Sequence, residues 1–508
     1  MKKIFKLLLI ALLIPAWANA AGWDESEYKR IEQSIQLPDF AQAGKVYDIT
    51  KYGAKLSNSA AQNQKAINKL IALVSKKGGG CVVITKGTWK TGAIEMKSRV
   101  KLEVQKDATL QFVFDTKLYP LVRTSWEGLA CWNYSPCIYA YKATDIAITG
   151  EGTIDGGGNM ETWWPMCGAK KFNFQEGITK EAQSLGSRAK LLKQAEDGVD
   201  FDQRKFGLGQ GLRPQLINFV RSERILIQGV KLLNSPFWVI HPLLCKNITV
   251  KGVTIWNEGP NGDGCDPEAC ENVLIEDCIF HTGDDCIAIK SGKLGIEPEL
   301  RPATHDVLIS HCYMHDGHGA VVLGSEAAGG IKDLTVSKCL FERTDRGLRV
   351  KTRRGRGKDA VNEGITFEHI RMDKVLTPFV VNSFYFCDKD GKTDYVQNRE
   401  ALPVDDRTPG FGATTFRDIE ATNCHAAAAY ITGLPESKVT RLTFQDVHVT
   451  FAADAEPFVP AMACGVEPMV RQGIIAQNVK VLDLQNVSIE GQDGEELQLQ
   501  NVDKVVRA

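Results

Sequence analysis

Beyond its first twenty residues the chain has no apolar run of the ~20 residues that a membrane span requires, so no membrane insertion is expected of the mature protein. It also has almost no net charge: 61 Lys and Arg stand against 62 Asp and Glu, a formal −1. Nothing global therefore points to a nucleic acid or a membrane surface as partner, and any electrostatic argument must be local. There is no closely spaced cysteine and histidine cluster of the zinc-site type, and no metal or cofactor is expected. Helices do not alternate regularly with strands, which argues against βαβ folds. Trp-Asp and kelch signatures are missing, which sets aside the runner-up architecture, a β-propeller, whose repeats are also longer.

What is present begins at the N-terminus. MKKIFKLLLIALLIPAWANA joins a basic start to an apolar run and then to Ala18-Asn19-Ala20, a small-x-small cleavage pattern. An export signal over residues 1–20, cut after Ala20, is expected, with a soluble secreted or periplasmic protein over 21–508. A membrane anchor is the weaker alternative, because Pro15 interrupts the apolar run and no cysteine at the cleavage point could carry a lipid. Fourteen cysteines in an exported chain raise the question of disulfides. Yet Cys278, Cys312 and Cys339 recur at one position of a repeat, where free cysteine serves as a small buried hydrophobe, so a stacked interior row is expected rather than bridges.

That repeat is a short apolar alternation, a polar pair and a further apolar position. It reads ILIQGV from Ile225, ITVKGV from Ile248, VLIEDC from Val273, VLISHC from Val307, LTVSKC from Leu334 and ITFEHI from Ile365. Looser copies start at Leu102, Ile146, Thr414, Leu442 and Leu482. The better copies lie about 23 to 34 residues apart, the length of one turn of a solenoid that buries its apolar face only by stacking on neighbours. Second short strands such as CIAIKS, AVVLGS and LRVKT follow most of them. The fold expected is all-β: a right-handed, single-stranded parallel β-helix, acting as a monomer.

Residues 59–75 read as an amphipathic helix with Ser59 as cap, Ile67, Leu70, Ile71 and Val74 on one face, and glycines 78–80 as the stop. It suits the open N-terminal end of the solenoid as a lid. The repeat vanishes over about 163–213, where a helical segment near Glu181 to Gln194 is expected. Such an insertion loops out on one face and is a candidate wall for a cleft.

The repeat also serves as a ruler. Counted from successive modules, Asp263, then Asp284 and Asp285, then His318, then Arg346, Arg349 and Lys351 fall at similar offsets. With coils ~4.8 Å apart, this predicts a stripe of three carboxylates, a histidine and a basic group on one face. Turn chemistry alone explains any one Asp-Gly pair, but four such motifs on successive coils point to a site. Crowded carboxylates suit glycoside hydrolysis, in which one acid must hold a proton and another must be ionised. Alternation places Arg349 and Lys351 on one side of a strand, where they could hold the carboxylate of an acidic sugar. Arg353 to Lys358 reads as a solvated basic loop.

The motifs Asn261-Gly262-Asp263, Gly283-Asp284-Asp285, Gly317-His318-Gly319 and Arg349-Val350-Lys351, in this order, resemble those of glycoside hydrolase family 28, the polygalacturonases. The likeness runs from roughly Val46 to the C-terminus and includes Asn234-Ser235-Pro236-Phe237-Trp238. It implies a pectin-lyase-like β-helix that cleaves α-1,4-galacturonosidic bonds of polygalacturonate with inversion and without a metal. It further implies Asp284 as general acid, Asp263 and Asp285 as activators of water, His318 as support for the acid, and Arg349 and Lys351 as galacturonate binders. Exo action is the expectation, the insertion closing one end of the cleft. Alternatives are endo action, a rhamnogalacturonan or substituted-galacturonan substrate, a calcium-dependent pectate lyase, and a noncatalytic carbohydrate-binding solenoid. Gly262 stands where the family pattern has Thr, a change expected to bear on which sugar fits.

Overall fold

The repeated modules pair in register. In the computed structural model, which describes residues 30, 32–40 and 45–508, Ile225 lies opposite Ile248, Ile248 opposite Val273, Val273 opposite Val307 and Val307 opposite Leu334. The ladder continues through Ile365, Thr414, Leu442 and Leu482. All these pairings are parallel, as in a solenoid whose equivalent positions stack, and Ile248, Val273, Val307 and Leu334 are fully buried. The copy at Leu102 sits out of step: Leu102 pairs with Ile148, not with Ile146. A two-residue slip keeps every side chain on its own face, so the apolar pattern cannot reveal it.

The polar pair in each module has a backbone cause. Its second residue is left-handed in coil after coil: Gly252 (φ 62°), Asp277 (54°), His311 (51°), Lys338 (54°) and His369 (54°). One such residue turns the chain a corner, and Gly, Asp and Asn bear that conformation at least cost. A second strand then follows, as in Thr254–Asn257, Ile279–Thr282 and Tyr313–His315. A third face carries Ile287–Ile289, Val321–Gly324, Arg346–Lys351 and Thr377–Asn382, again in parallel. The chain is a parallel β-helix.

All fourteen cysteines are free thiols. Cys278, Cys312 and Cys339 are buried at the corner just past the left-handed residue. Their thiols donate to the carbonyls of Glu276, Ser310 and Ser337 at 3.1, 3.2 and 3.3 Å. The row packs as expected and also satisfies corner carbonyls with a weak donor.

Helix α1 (Ala60–Lys76) caps the first coil. Ser59 and Gln62 form a reciprocal capping box, and Ile67, Leu70, Ile71 and Val74 join the solenoid core. The insertion contains helix α2 (Ser187–Glu196). Leu191 and Ala195 of α2 pack with Trp126, Leu212, Phe237 and Trp238 into a separate small core on the flank of the solenoid. Beneath it lies an element the repeat pattern did not announce, an antiparallel hairpin of Leu121–Trp126 and Leu129–Tyr134. Its tip residues Glu127 and Gly128 both have positive φ, 45° and 77°, as a tight primed turn requires. Among the described residues no helix is long and apolar enough to cross a membrane. The proposed leader over 1–20 lies outside the described residues.

Candidate active site

Cys265 and Ile287 are bridge partners, so Asp263 and Asp285, each two residues earlier, occupy equivalent places on adjacent coils. Ile287 pairs with Val321, which likewise aligns Asp284 with His318. Carboxylate oxygens of Asp263, Asp284 and Asp285 lie within 4.8 Å of one another. The two adjacent aspartates share this site because Gly283 presses against the previous coil. A Cβ there would stand 2.7 Å from the Glu258 carbonyl oxygen. Gly262 is tight for the same reason, since a Cβ would lie 2.6 Å from the Gly259 carbonyl oxygen. Its smallness thus serves the packing of the turn.

The ruler misplaced the basic pair by a few residues. Val321 pairs with Leu348, so Arg349 and Lys351 lie farther along their strand than the acids and one coil beyond His318. Long side chains bring them back. Arg349 crosses the intervening coil over Gly319, where a Cβ would come within 3.4 Å of its Cβ and Cδ. Arg349 Nη1 donates to Asp285 Oδ1 at 3.1 Å, and Lys351 Nζ to Asp285 Oδ2 at 2.5 Å. Val350 between them faces the core.

Electrostatics divide the acids. Asp285 is fully buried, which opposes ionisation, yet Lys351 and Arg349 hold its carboxyl far below the usual carboxylate range. Burial works against Asp284 as well, but a hydrogen bond from His318 Nδ1 at 3.3 Å keeps it below its ordinary value. That same bond raises the pKa of His318. Asp263 moves the other way: burial, then Asp266 and Asp284, push it well above the ordinary value. Asp266 is also raised by burial, and neither of its oxygens has a hydrogen-bond partner among the described residues. The environment thus favours the protonated form at Asp263 and Asp266 and the ionised form at Asp285, while Asp284 and His318 share a proton as a pair.

These groups open onto a cavity of about 420 Å³. Asp263, Asp284 and Lys351 line it; Asp285 and Arg349 stand behind, and half-exposed His318 flanks it. The insertion contributes Gln183, Ser184 and Arg188, and the hairpin tip contributes Glu127. Arg188 ties this wall together, reaching Glu127 and Asp388 at 2.7 Å each.

Several lining groups went unread in the sequence. Lys290 packs over the Trp238 ring at 4.4 Å and pairs with Glu326 at 3.2 Å and Asp263 at 3.7 Å. It stands in CIAIKS and stacks, through Gly324, in line with Lys351, so strand parity carried the signal. Tyr385 and Glu326 had no repeat to mark them, nor had Asp388, which holds Arg188 from outside the lining. The basic run is a correction: Arg353, Arg354 and Arg356 are buried, not solvated. Arg353 pairs with Asp390, Arg354 with Glu436, and Arg356 with Asp388, acids that later loops bring over the strand. Only Lys358 of that stretch sits in solvent, beside Asp406.

Residues 204–462 match the family model for glycosyl hydrolases family 28. The chain belongs to that family. A probable polygalacturonase of Vitis vinifera is 30% identical over 422 residues, 80% of this chain and 74% of the relative. An exo-poly-alpha-D-galacturonosidase of Dickeya chrysanthemi is 27% identical over 373 residues, 69% of this chain and 59% of that one. The crystal structure of a hyperthermoactive exopolygalacturonase from Thermotoga maritima is similar, with a TM-score of 0.78 and 29% identity across 93% of this chain and 97% of that one. The protein is thus a glycoside hydrolase of the polygalacturonase family. The lyase alternative also conflicts with the charges, because Lys290, Arg349, Lys351 and His318 already balance the carboxylates a calcium ion would need.

Proposed function

We propose that this enzyme is an exo-acting, inverting polygalacturonase that releases galacturonate from the ends of polygalacturonate chains. The observation that carries the exo reading is the wall. Arg188 of α2 and Glu127 of the hairpin tip, tied to each other, line the same cavity as Asp263 and Asp284 and read as its end wall. A chain end fits such a pocket, whereas the middle of a polymer needs an open groove.

In this reading the Asp284–His318 pair is the acid. Asp284 delivers the proton to the departing glycosidic oxygen, and His318 returns one to it. Asp285, kept ionised by Arg349 and Lys351, and Asp263 orient the water that attacks the anomeric carbon from the opposite side. Asp263 serves the water as a carboxylate, the form that its ion pair with Lys290 at 3.7 Å favours. Lys351 lines the cavity and meets the sugar carboxylate, while Arg349 behind it supplies a second positive charge. The oxygens are closer than the ~6.5–9.5 Å carboxyl separation usual for inversion. Inversion is therefore supported by family membership, and proton NMR of the first product checks it, a retained anomer refuting it. We further read the chain as an export leader over 1–20 followed by a single β-helix domain, residues 21–508, that acts outside the cytoplasm as a monomer.

Timed product sizing on polygalacturonate tests the central reading. Monomer should accumulate first, without the ultraviolet absorbance of an unsaturated sugar. Mixed oligomers at early times would refute exo action, and an unsaturated product would refute hydrolysis. Activity confined to rhamnogalacturonan in a panel of pectic substrates would refute the substrate.

A further inference from the structure

A second cluster sits on the neighbouring face of the same coils. His281 and His315 are stacked partners on adjacent strands, in line with Trp256. Three atoms converge there: His281 Nδ1 and His315 Nδ1 are 3.1 Å apart, His281 Nδ1 and Asp316 Oδ2 3.1 Å, and His315 Nδ1 and Asp316 Oδ2 2.6 Å. The rings are held rigidly. The Trp256 ring lies 3.8 Å from that of His281, and the Tyr313 ring 4.9 Å from that of His315.

From this geometry we propose that His281, His315 and Asp316 bind a divalent first-row transition ion of the zinc type. Protons explain why. His281 Nε2 donates to Glu258 Oε1 at 2.8 Å, which leaves its Nδ1 as a bare lone pair. Asp316 Oδ2 faces His281 Nδ1 and His315 Nδ1 from the third corner. Two imidazole nitrogens and a carboxylate oxygen thus crowd one point. A cation at the centre satisfies all three groups, the displaced proton moving to His315 Nε2. The edges of the triangle suit one coordination shell: a point roughly 2.0–2.1 Å from all three atoms, the usual zinc–ligand distance, lies about 1 Å off their plane. Glu258 completes the carboxylate–histidine–metal arrangement that orients ligating imidazoles. Two histidines and a carboxylate suit zinc-like ions better than calcium or magnesium. The partly exposed Asp316 leaves room for water to fill the remaining positions.

One group opposes the ion. Arg343 Nη2 donates to the same Asp316 oxygen at 3.0 Å, and its charge weakens binding. This gives the site a signature that a purely structural histidine pair lacks. Each ligand also leads into the catalytic turns: Asp284 follows three residues after His281, and His318 two after Asp316. A bound ion would clamp the coils that carry the acid pair.

The test is zinc titration of the full, untagged chain by calorimetry after chelator treatment, together with the visible spectrum of the cobalt-loaded protein. One equivalent should bind, with cobalt d–d bands and no thiolate charge-transfer band. His315→Gln should abolish binding. Arg343→Gln, at an exposed residue, should tighten it by about tenfold, the scale on which groups around a metal tune affinity. The proposal is overturned by absence of binding to the wild type, by a thiolate band, or by binding that survives His315→Gln but is lost on Asp263→Asn. It is equally overturned if Arg343→Gln leaves zinc affinity unchanged, a reading that stands even should His315→Gln fail to fold.

Discussion

Two parts of this molecule are equally buried and built on opposite chemistry. The body repeats one solution: apolar residues stack at equivalent positions, and a left-handed residue turns each corner. The cleft stands on the same coils but buries ions instead, among them Asp285, Lys290, Arg349 and Glu326. Burial of an apolar side chain stabilises by itself, whereas burial of a charge costs unless a partner compensates it. Substitutions in the body should therefore act on stability alone, while those in the cleft should act on activity and, where a pair is broken, on stability too.

Asp285→Asn breaks the comparison hardest if it is wrong. It removes a water-activating carboxylate and leaves Arg349 and Lys351 buried without their partner. We expect kcat/KM to fall by about 10³-fold or more and unfolding free energy by about 3–5 kcal/mol, read from initial rates and denaturant melts. A loss of activity without loss of stability would mean that the cations find other partners. Leu334→Ala sharpens the other half. A fully buried leucine in the stacked row should cost about 2–5 kcal/mol of stability, while kcat per folded molecule stays unchanged. A large drop in kcat would show that body and cleft are not separable.

His318→Gln should cost less activity than Asp285→Asn, a loss of about 10²-fold, together with a changed pH profile. His318 has a raised pKa, so the acid pair keeps its proton until pH rises through that value. Without the imidazole the proton rests on Asp284 alone, and the alkaline limb should move to lower pH. An unmoved limb would place the essential proton elsewhere.

The same contrast explains what the sequence disclosed. Apolar periodicity marks stacked coils directly, and so the ladder, the cysteine row, α1 with its Ser59 cap and the Asp263, Asp284, Asp285 and His318 stripe were legible. The slip at Leu102 was invisible because parity hides it. The ruler erred for Arg349 and Lys351 because it counts backbone positions, while these side chains reach back across Gly319. The run from Arg353 was misread because a buried arginine and a solvated one look alike until their acids, Asp388, Asp390 and Glu436, are brought over them by later loops.

The central claim, that Asp284 delivers the proton while Asp263 and Asp285 serve the water, meets its most direct test in leaving-group dependence. Burial favours the protonated form at Asp263 and Asp266, so the assignment is exposed to refutation. The rates of Asp284→Asn and Asp263→Asn should be compared on polygalacturonate and on an aryl galacturonide whose phenolate departs without protonation. The account predicts that Asp284→Asn recovers most of its activity on the aryl substrate and that Asp263→Asn does not. Recovery by Asp263→Asn instead would contradict it and make Asp263 the acid.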